Sequence, residues 1–200
     1  MLPKALTDAI EALGKLPGVG PRTAERYAYY LFRANPTISE GIAKVLLELH
    51  NGVKICPITF ALCNAGDECS CFYNDSRDKS TILVVEEPLD IYAIEQTKGY
   101  FGTYHVLGGT ISPIDGITAD KLKIRELISR VEKDDAKEII IATNPSVEGE
   151  STALYIQRVL NDKYPELKVT RLARGLPLGV DLSYADQITL SAALKNRTNL

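Results

Sequence analysis

The run Ile139-Ile140-Ile141-Ala142, followed by Thr143-Asn144-Pro145-Ser146-Val147-Glu148-Gly149-Glu150 and a helix-forming segment, constrains this chain most. An apolar run with no polar alternation suits a strand buried on both faces, which parallel sheets with flanking helices provide. A strand that ends in turn residues just ahead of a helix places polar groups at the carboxyl edge of the sheet. There α/β folds hold ligands or do chemistry. The first part of this turn carries the neutral side chains Asn144 and Ser146 rather than a pair of carboxylates, which bears on whether the chain is an enzyme or a binder.

The surrounding pattern agrees with such a sheet. Thr81 to Glu87, Gly102 to Leu107, Glu138 to Thr143 and Lys168 to Leu172 read as strands. Pro88 to Thr97, Asp120 to Lys133, Glu148 to Lys163 and Ser183 to Lys195 read as helices. The alternation predicts an α/β fold, a mostly parallel sheet with helices on both faces. Ahead of it, Ala5, Leu6, Ala9, Ile10 and Leu13, then Ala24, Tyr27, Ala28 and Leu31, then Ile42, Val45, Leu46 and Leu49 recur at helical spacing. The chain therefore divides into an N-terminal helical region (1–52), a cysteine-rich segment without periodicity (53–79), an α/β domain (80–173) and a C-terminal stretch with a helix (174–200).

Composition excludes some function classes. With 45% apolar and 24% charged residues the chain is globular rather than disordered. A formal net charge of -3 means that nucleic-acid binding cannot rest on overall basicity. It requires a local basic patch or a ring-like assembly. No apolar run reaches membrane-spanning length, and Met1-Leu2-Pro3-Lys4 begins no signal peptide, so a cytoplasmic location without membrane attachment is expected. In that compartment, cysteines clustered between Cys56 and Cys71 read as metal ligands more readily than as disulfides.

Three constellations carry chemistry. In Leu16-Pro17-Gly18-Val19-Gly20-Pro21, the glycines permit positive φ and Pro21 suits a first helical turn. Backbone amides at the start of the second helix then form a seat for phosphate, with Arg22 and Arg26 one turn apart on one face and Lys15 just ahead. Such a site grips a sugar-phosphate backbone without reading sequence. The plain alternative is a helical hairpin with solvated arginines, although the longer string through Arg22-Thr23-Ala24 resembles a helix-hairpin-helix motif. The second constellation is Cys56, Cys63, Cys69 and Cys71. They suit either a tetrahedral structural zinc or a metal-free loop of small buried thiols, with Thr59 standing where a partner of Cys56 is expected. His50 and His105 lack ligand spacing, and His105 reads as a packed, hydrogen-bonded strand residue.

The third is the acidic edge of Glu86 and Glu87 beside the Asn144 turn. Magnesium requires hard carboxylate oxygens, and the neutral Asn144 and Ser146 supply none. Glu148 and Glu150 remain, but in a first helical turn they also favour the helix dipole. No phosphate-binding loop of the Gly-x-x-x-x-Gly-Lys-Ser/Thr type occurs, and no nucleophile–histidine catalytic set is supported.

Taken together, the hairpin, the cysteine cluster, Val84-Val85-Glu86-Glu87, Tyr104-His105-Val106-Leu107-Gly108-Gly109-x-Ile111-Ser112-Pro113, Asn144 to Glu150 and Arg171-Leu172-Ala173-Arg174-Gly175-Leu176-Pro177 resemble the RecR family of bacterial recombination mediators, from end to end. The resemblance implies a non-catalytic Toprim-like α/β domain and a Walker-B-like stretch over Gly179 to Asp186. It implies ring-like tetramers that bind single-stranded, duplex or gapped DNA, cooperate with RecO and RecF, and help load RecA at DNA damage on the nucleoid. Lys15, Arg22 and Arg26 are then the DNA contacts, and Glu148 and Glu150 bear on the RecO contact. It also implies Zn2+ on Cys56, Cys63, Cys69 and Cys71. The family's finger is Cys-x-x-Cys twice, whereas here Thr59 breaks the first pair and Cys69-x-Cys71 compresses the second. Either Cys63 replaces the lost ligand or the metal is gone. The alternative activity is a magnesium-dependent Toprim nuclease or primase, using Glu86 with Glu148 or Glu150.

Overall fold

The computed structural model describes residues 2–173, 175–177 and 179–197; Arg174 of the Arg-Gly-Leu-Pro segment lies outside the described residues. The chain forms two compact units, Met1–Lys54 and Ile55–Leu200.

The first unit holds three helices, α1 (Lys4–Gly14), α2 (Pro21–Arg33) and α3 (Pro36–Gly52). Proline opens both α2 and α3, where its fixed φ and missing N–H cost nothing. Asn35 caps α3 by accepting the Thr37 N–H at 3.1 Å. The buried side chains of α2 are Ala24 and Ala28, small enough for α1 to lie close; a Cβ on Gly14 would stand 3.9 Å from that of Ala24.

In the second unit, beyond β1 (Val53–Ile55), within which the division falls, come β2 (Leu62–Asn64), α4 (Ser70–Tyr73), β3 (Asp78–Val85), α5 (Pro88–Glu95), β4 (Gly102–Val106), α6 (Ile124–Lys133), β5 (Glu138–Ile141), α7 (Val147–Lys163), β6 (Lys168–Arg171) and α8 (Gln187–Lys195). Four strands form one sheet in the order β4-β3-β5-β6, and all three pairings are parallel.

The period of two along each strand divides the core between the two faces. Ile82, Val84, Ile139 and Ile141 meet Ile124, Leu127 and Val131 of α6 and Ala153, Ile156 and Leu160 of α7. On the other face Leu83, Val85, Tyr104 and Val106 meet Ile91 of α5 together with Cys56, Ala61 and Cys69. The predicted α/β fold with helices on both faces is thus the observed one, and the cysteine-rich segment is part of the cover of the second face. The Val106 N–H reaches the Thr59 carbonyl at 2.8 Å, tying that segment to β4.

Two helices differ from the sequence reading. The helix expected from Asp120 to Lys133 is interrupted. After a 3-10 turn at Ala119–Lys121 the chain is extended at Leu122, which is buried in the core, and the Lys123 N–H donates to the Leu107 carbonyl at 3.0 Å. Burial of Leu122 outweighs helical continuity, and α6 begins at Ile124. The last helix, expected from Ser183, begins at Gln187 because Asp186 accepts the Ile188 and Thr189 N–H groups at 2.9 Å.

His105 is the packed strand histidine expected. Fully buried, it donates through Nε2 to the Lys123 carbonyl at 2.7 Å, while Nδ1 has no partner among the described residues. Burial pushes its imidazole down to about 3, so it stays neutral in the folded protein. An unfolded histidine takes up its proton near pH 6.5, so between that pH and about 3 the unfolded state holds one more proton. Stability is complete above this window and falls as pH drops through it, by up to about 1.4 kcal/mol per pH unit from this group. Urea midpoints measured from pH 7.5 to pH 4 are expected to show this slope, and a folded His105→Leu chain is expected to show a shallower one.

Candidate nucleic-acid interface and sheet edge

In the helical unit, α1 ends at Gly14 and the chain turns through Lys15 and Leu16, whose carbonyl accepts the Val19 N–H at 3.0 Å. Gly18 sits at φ +77 with open space around its missing Cβ, so the backbone angle rather than crowding calls for glycine. Gly20 begins α2 without a side-chain cap, and Pro21 brings no N–H. The Arg22 N–H is therefore at the helix start with no acceptor one turn earlier within α2, at the positive end of the helix dipole. Lys15, Arg22 and Arg26 are all exposed, and Arg22 and Arg26 lie one turn apart as the spacing predicted. The Arg26 guanidinium lies 5.7 Å from the centre of the Tyr27 ring. This is a short cationic turn flanked by backbone donors, chemically suited to a phosphate oxygen.

The carboxyl edge lies in the other unit. β3 connects to β4 on one side and its neighbour β5 connects to β6 on the other, so the connections from these two carboxyl ends leave in opposite directions, where such sheets open a crevice. Glu86 stands there and is only 8% exposed. Its Oε1 accepts the Asn144 N–H at 2.8 Å, and its Oε2 accepts from Asn144 Nδ2 at 2.6 Å. Glu87 is likewise engaged, forming a reciprocal capping box with Asp90 at the start of α5. Ser146 caps α7 by accepting the Gly149 N–H at 2.9 Å. Glu150 pairs with Arg171 at 2.9 Å, while Glu148 is exposed beside it.

Asn144 thus occupies a carboxylate that would otherwise face the crevice. Its backbone N–H serves one oxygen and its side-chain NH2 the other; an aspartate at that position would keep only the first of these donors and set a second carboxylate against Glu86. Among the described residues no three cysteine, histidine, aspartate or glutamate side chains gather in a way that could hold a metal ion. The sequence reading missed the clamp and missed Gly149, where a Cβ would fall 2.2 Å from the Asn144 carbonyl oxygen. A lone glycine in a first helical turn was the one available signal.

The cysteines were expected to act together, and the structure draws some of them into one knot. Cys56 and Cys69 are buried, Cys63 and Cys71 half-buried. Thr59, fully buried, donates its N–H to Cys56 Sγ at 3.4 Å, and its Oγ1 lies 3.5 Å from Cys69 Sγ. Hydrogen bonding from Cys71, with smaller contributions from Thr59 and Cys56, holds the Cys69 thiol well below its ordinary range. The same bond, with burial, raises Cys71. A tetrahedral zinc needs four thiolate, imidazole or carboxylate donors, and a threonine hydroxyl at the centre of the knot does not fit that set.

Family models match three stretches of this chain. A RecR helix-hairpin-helix model matches residues 6–50, a Toprim domain model residues 80–173, and a RecR C-terminal model residues 175–198. The recombination protein RecR of Acidothermus cellulolyticus is 46% identical over 98% of this chain and 96% of its own length. Those of Nocardioides sp. and Streptomyces coelicolor are 49% and 47% identical, each over 95% of this chain and 94% of its own length. The chain belongs to the RecR family.

As a RecR family member it is a recombination protein with a helix-hairpin-helix region and a Toprim domain. The hydrogen-bonded pair Glu86 and Asn144 lies inside the Toprim region, and Lys15, Arg22 and Arg26 lie inside the RecR hairpin region. Among the described residues no helix is long and apolar enough to cross a membrane.

Proposed function

We propose that the chain is a DNA-binding mediator of recombinational repair that grips DNA through its hairpin and catalyses no reaction itself. The observation that carries this reading is the exposed pair Arg22 and Arg26 at the uncapped start of α2, with Lys15 at the preceding turn. Several copies in a ring, as a homotetramer, would bring these turns to bear on one DNA molecule, giving avidity despite the net negative chain. Absence of catalysis is supported at the sheet edge, where both Glu86 oxygens are bridged by Asn144 and the turn offers no second carboxylate to a magnesium ion. In this reading the protein works with RecO and RecF to place RecA on single-stranded or gapped DNA in the cytoplasm. Glu148, exposed at the start of α7, is the stronger candidate for the RecO contact, because Glu150 is held by Arg171.

The test is fluorescence anisotropy with duplex DNA across a salt series. Affinity is expected to fall as salt rises. In the Arg22→Ala/Arg26→Ala chain it is expected to be weaker, with the log–log slope flattened by about 1.8 for two lost phosphate contacts. An unchanged slope in that double variant rules out the hairpin as the DNA contact.

A further inference from the structure

The cysteine-rich segment is built from two tight turns that have the spacing of paired metal ligands. In the first, the Thr59 N–H reaches back to Cys56 Sγ at 3.4 Å. The Phe60 N–H donates to the Cys56 carbonyl at 3.0 Å, and Phe60 takes φ 59. In the second, the N–H groups of Phe72 and Tyr73 donate to the Cys69 carbonyl at 3.0 and 2.8 Å. A Cys-x-x-Cys pair on each turn would set ligands at positions 56 and 59 and at 69 and 72. Cysteine occupies only the first position of each. The fourth places hold Thr59 and Phe72.

Neither substitute is a ligand, and each has a different role. The Thr59 hydroxyl accepts the Ala61 N–H at 3.3 Å and lies 3.5 Å from Cys69 Sγ, so it joins the two turns by hydrogen bonds. The Phe72 ring is buried, with Lys79 Nζ 4.8 Å and the Arg130 guanidinium 5.3 Å from its centre. Cys56 and Cys69 themselves pack among Leu83, Val85, Tyr104 and Val106, on the apolar face of the sheet.

We infer that this segment keeps the two-turn frame of a zinc finger but is held together by packing and hydrogen bonds, with Thr59 and Phe72 standing in for two metal ligands. A long segment without periodicity needs something to organise it. Here the organiser is the second face of the sheet, reached by the Val106 N–H bond to the Thr59 carbonyl at 2.8 Å.

Two measurements test this. The full chain, purified from zinc-supplemented cells, is expected to contain far less than one zinc by elemental mass spectrometry. Its melting temperature is expected to be the same with and without EDTA. One zinc per chain, with a fall in melting temperature on chelation, overturns the inference. The Thr59→Cys/Phe72→Cys chain is expected to take up about one zinc through four thiolates and to become sensitive to EDTA. With cobalt in place of zinc it is expected to show the visible bands of a tetrahedral thiolate site. A double variant that folds by circular dichroism yet takes up neither metal refutes the two-turn frame. If that variant does not fold, the metal content and chelator response of the natural chain decide the matter.

Discussion

Replacement of Arg130 by alanine is expected to destabilise the protein by about 3–5 kcal/mol, the range for breaking a buried ion pair from one side. Arg130 is 5% exposed, on the inner side of α6. Its Nη1 donates to the Tyr104 carbonyl at 2.6 Å and its Nη2 to Thr103 Oγ1 at 3.0 Å. Nε and Nη2 both reach Asp134 Oδ2, at 3.0 and 2.9 Å. Removal leaves a largely buried carboxylate without its counter-charge and a strand carbonyl without its donor, and it withdraws a cation from the Phe72 ring. Lysine restores charge but not the planar fork, so Arg130→Lys is expected to recover less than half of the loss. Urea denaturation of the three chains settles the point; a loss below about 1 kcal/mol in Arg130→Ala contradicts the role given to this residue, because exposed pairs reach that figure.

The second large effect is expected at Gly149. A Cβ there would lie 2.2 Å from the Asn144 carbonyl oxygen and 2.8 Å from Glu86 Oε1, and the nearer atom is backbone. A flexible side chain could swing aside, but here α7 must shift or the turn must open. Gly149→Ala is therefore expected to cost about 1–3 kcal/mol, at the upper end for a crowded core, although alanine is the better helix former. Because the turn carries both donors to Glu86, the variant is also expected to lose protection of the Asn144 amide in hydrogen exchange. A thermal midpoint equal to that of the natural chain would show that the turn yields without cost.

Much of this was legible in the chain itself. The strand runs around Val84 and Ile140 announce a sheet covered on both faces, because an unbroken apolar run is what burial of both faces of a strand imposes. The hairpin was also visible, since glycine and proline mark backbone conformation residue by residue. The pairing of Glu86 with Asn144 was not, because it joins two strand ends through the sheet and leaves no local pattern. Replacement of an expected acid is visible at Asn144, but that its backbone N–H and side-chain amide bridge the very glutamate left behind depends on how two distant strand ends pack. Leu122 misled for the converse reason: its sequence context favours a helix, and only tertiary burial breaks it. The cysteine segment drew attention to ligands. That its turns lie against Val85 and Tyr104, with threonine and phenylalanine in two ligand places, depends on contacts far apart in the chain.

The strand order sets a schedule for folding. β3 leaves the ribosome before its sheet partners, yet it is an inner strand: β4 pairs on one side and β5 on the other, and β6 joins β5 at the edge. Parallel neighbours cannot close by a hairpin, so each pairing waits for an intervening helix, and such non-local sheets form slowly. Until β5 arrives, Ile82 to Val85 have one bare edge; until Lys168–Arg171 arrive, so do the isoleucines of β5. A nascent chain stalled between these points exposes a flat apolar strand to its neighbours, so the period before β6 is made is when this protein is most open to aggregation.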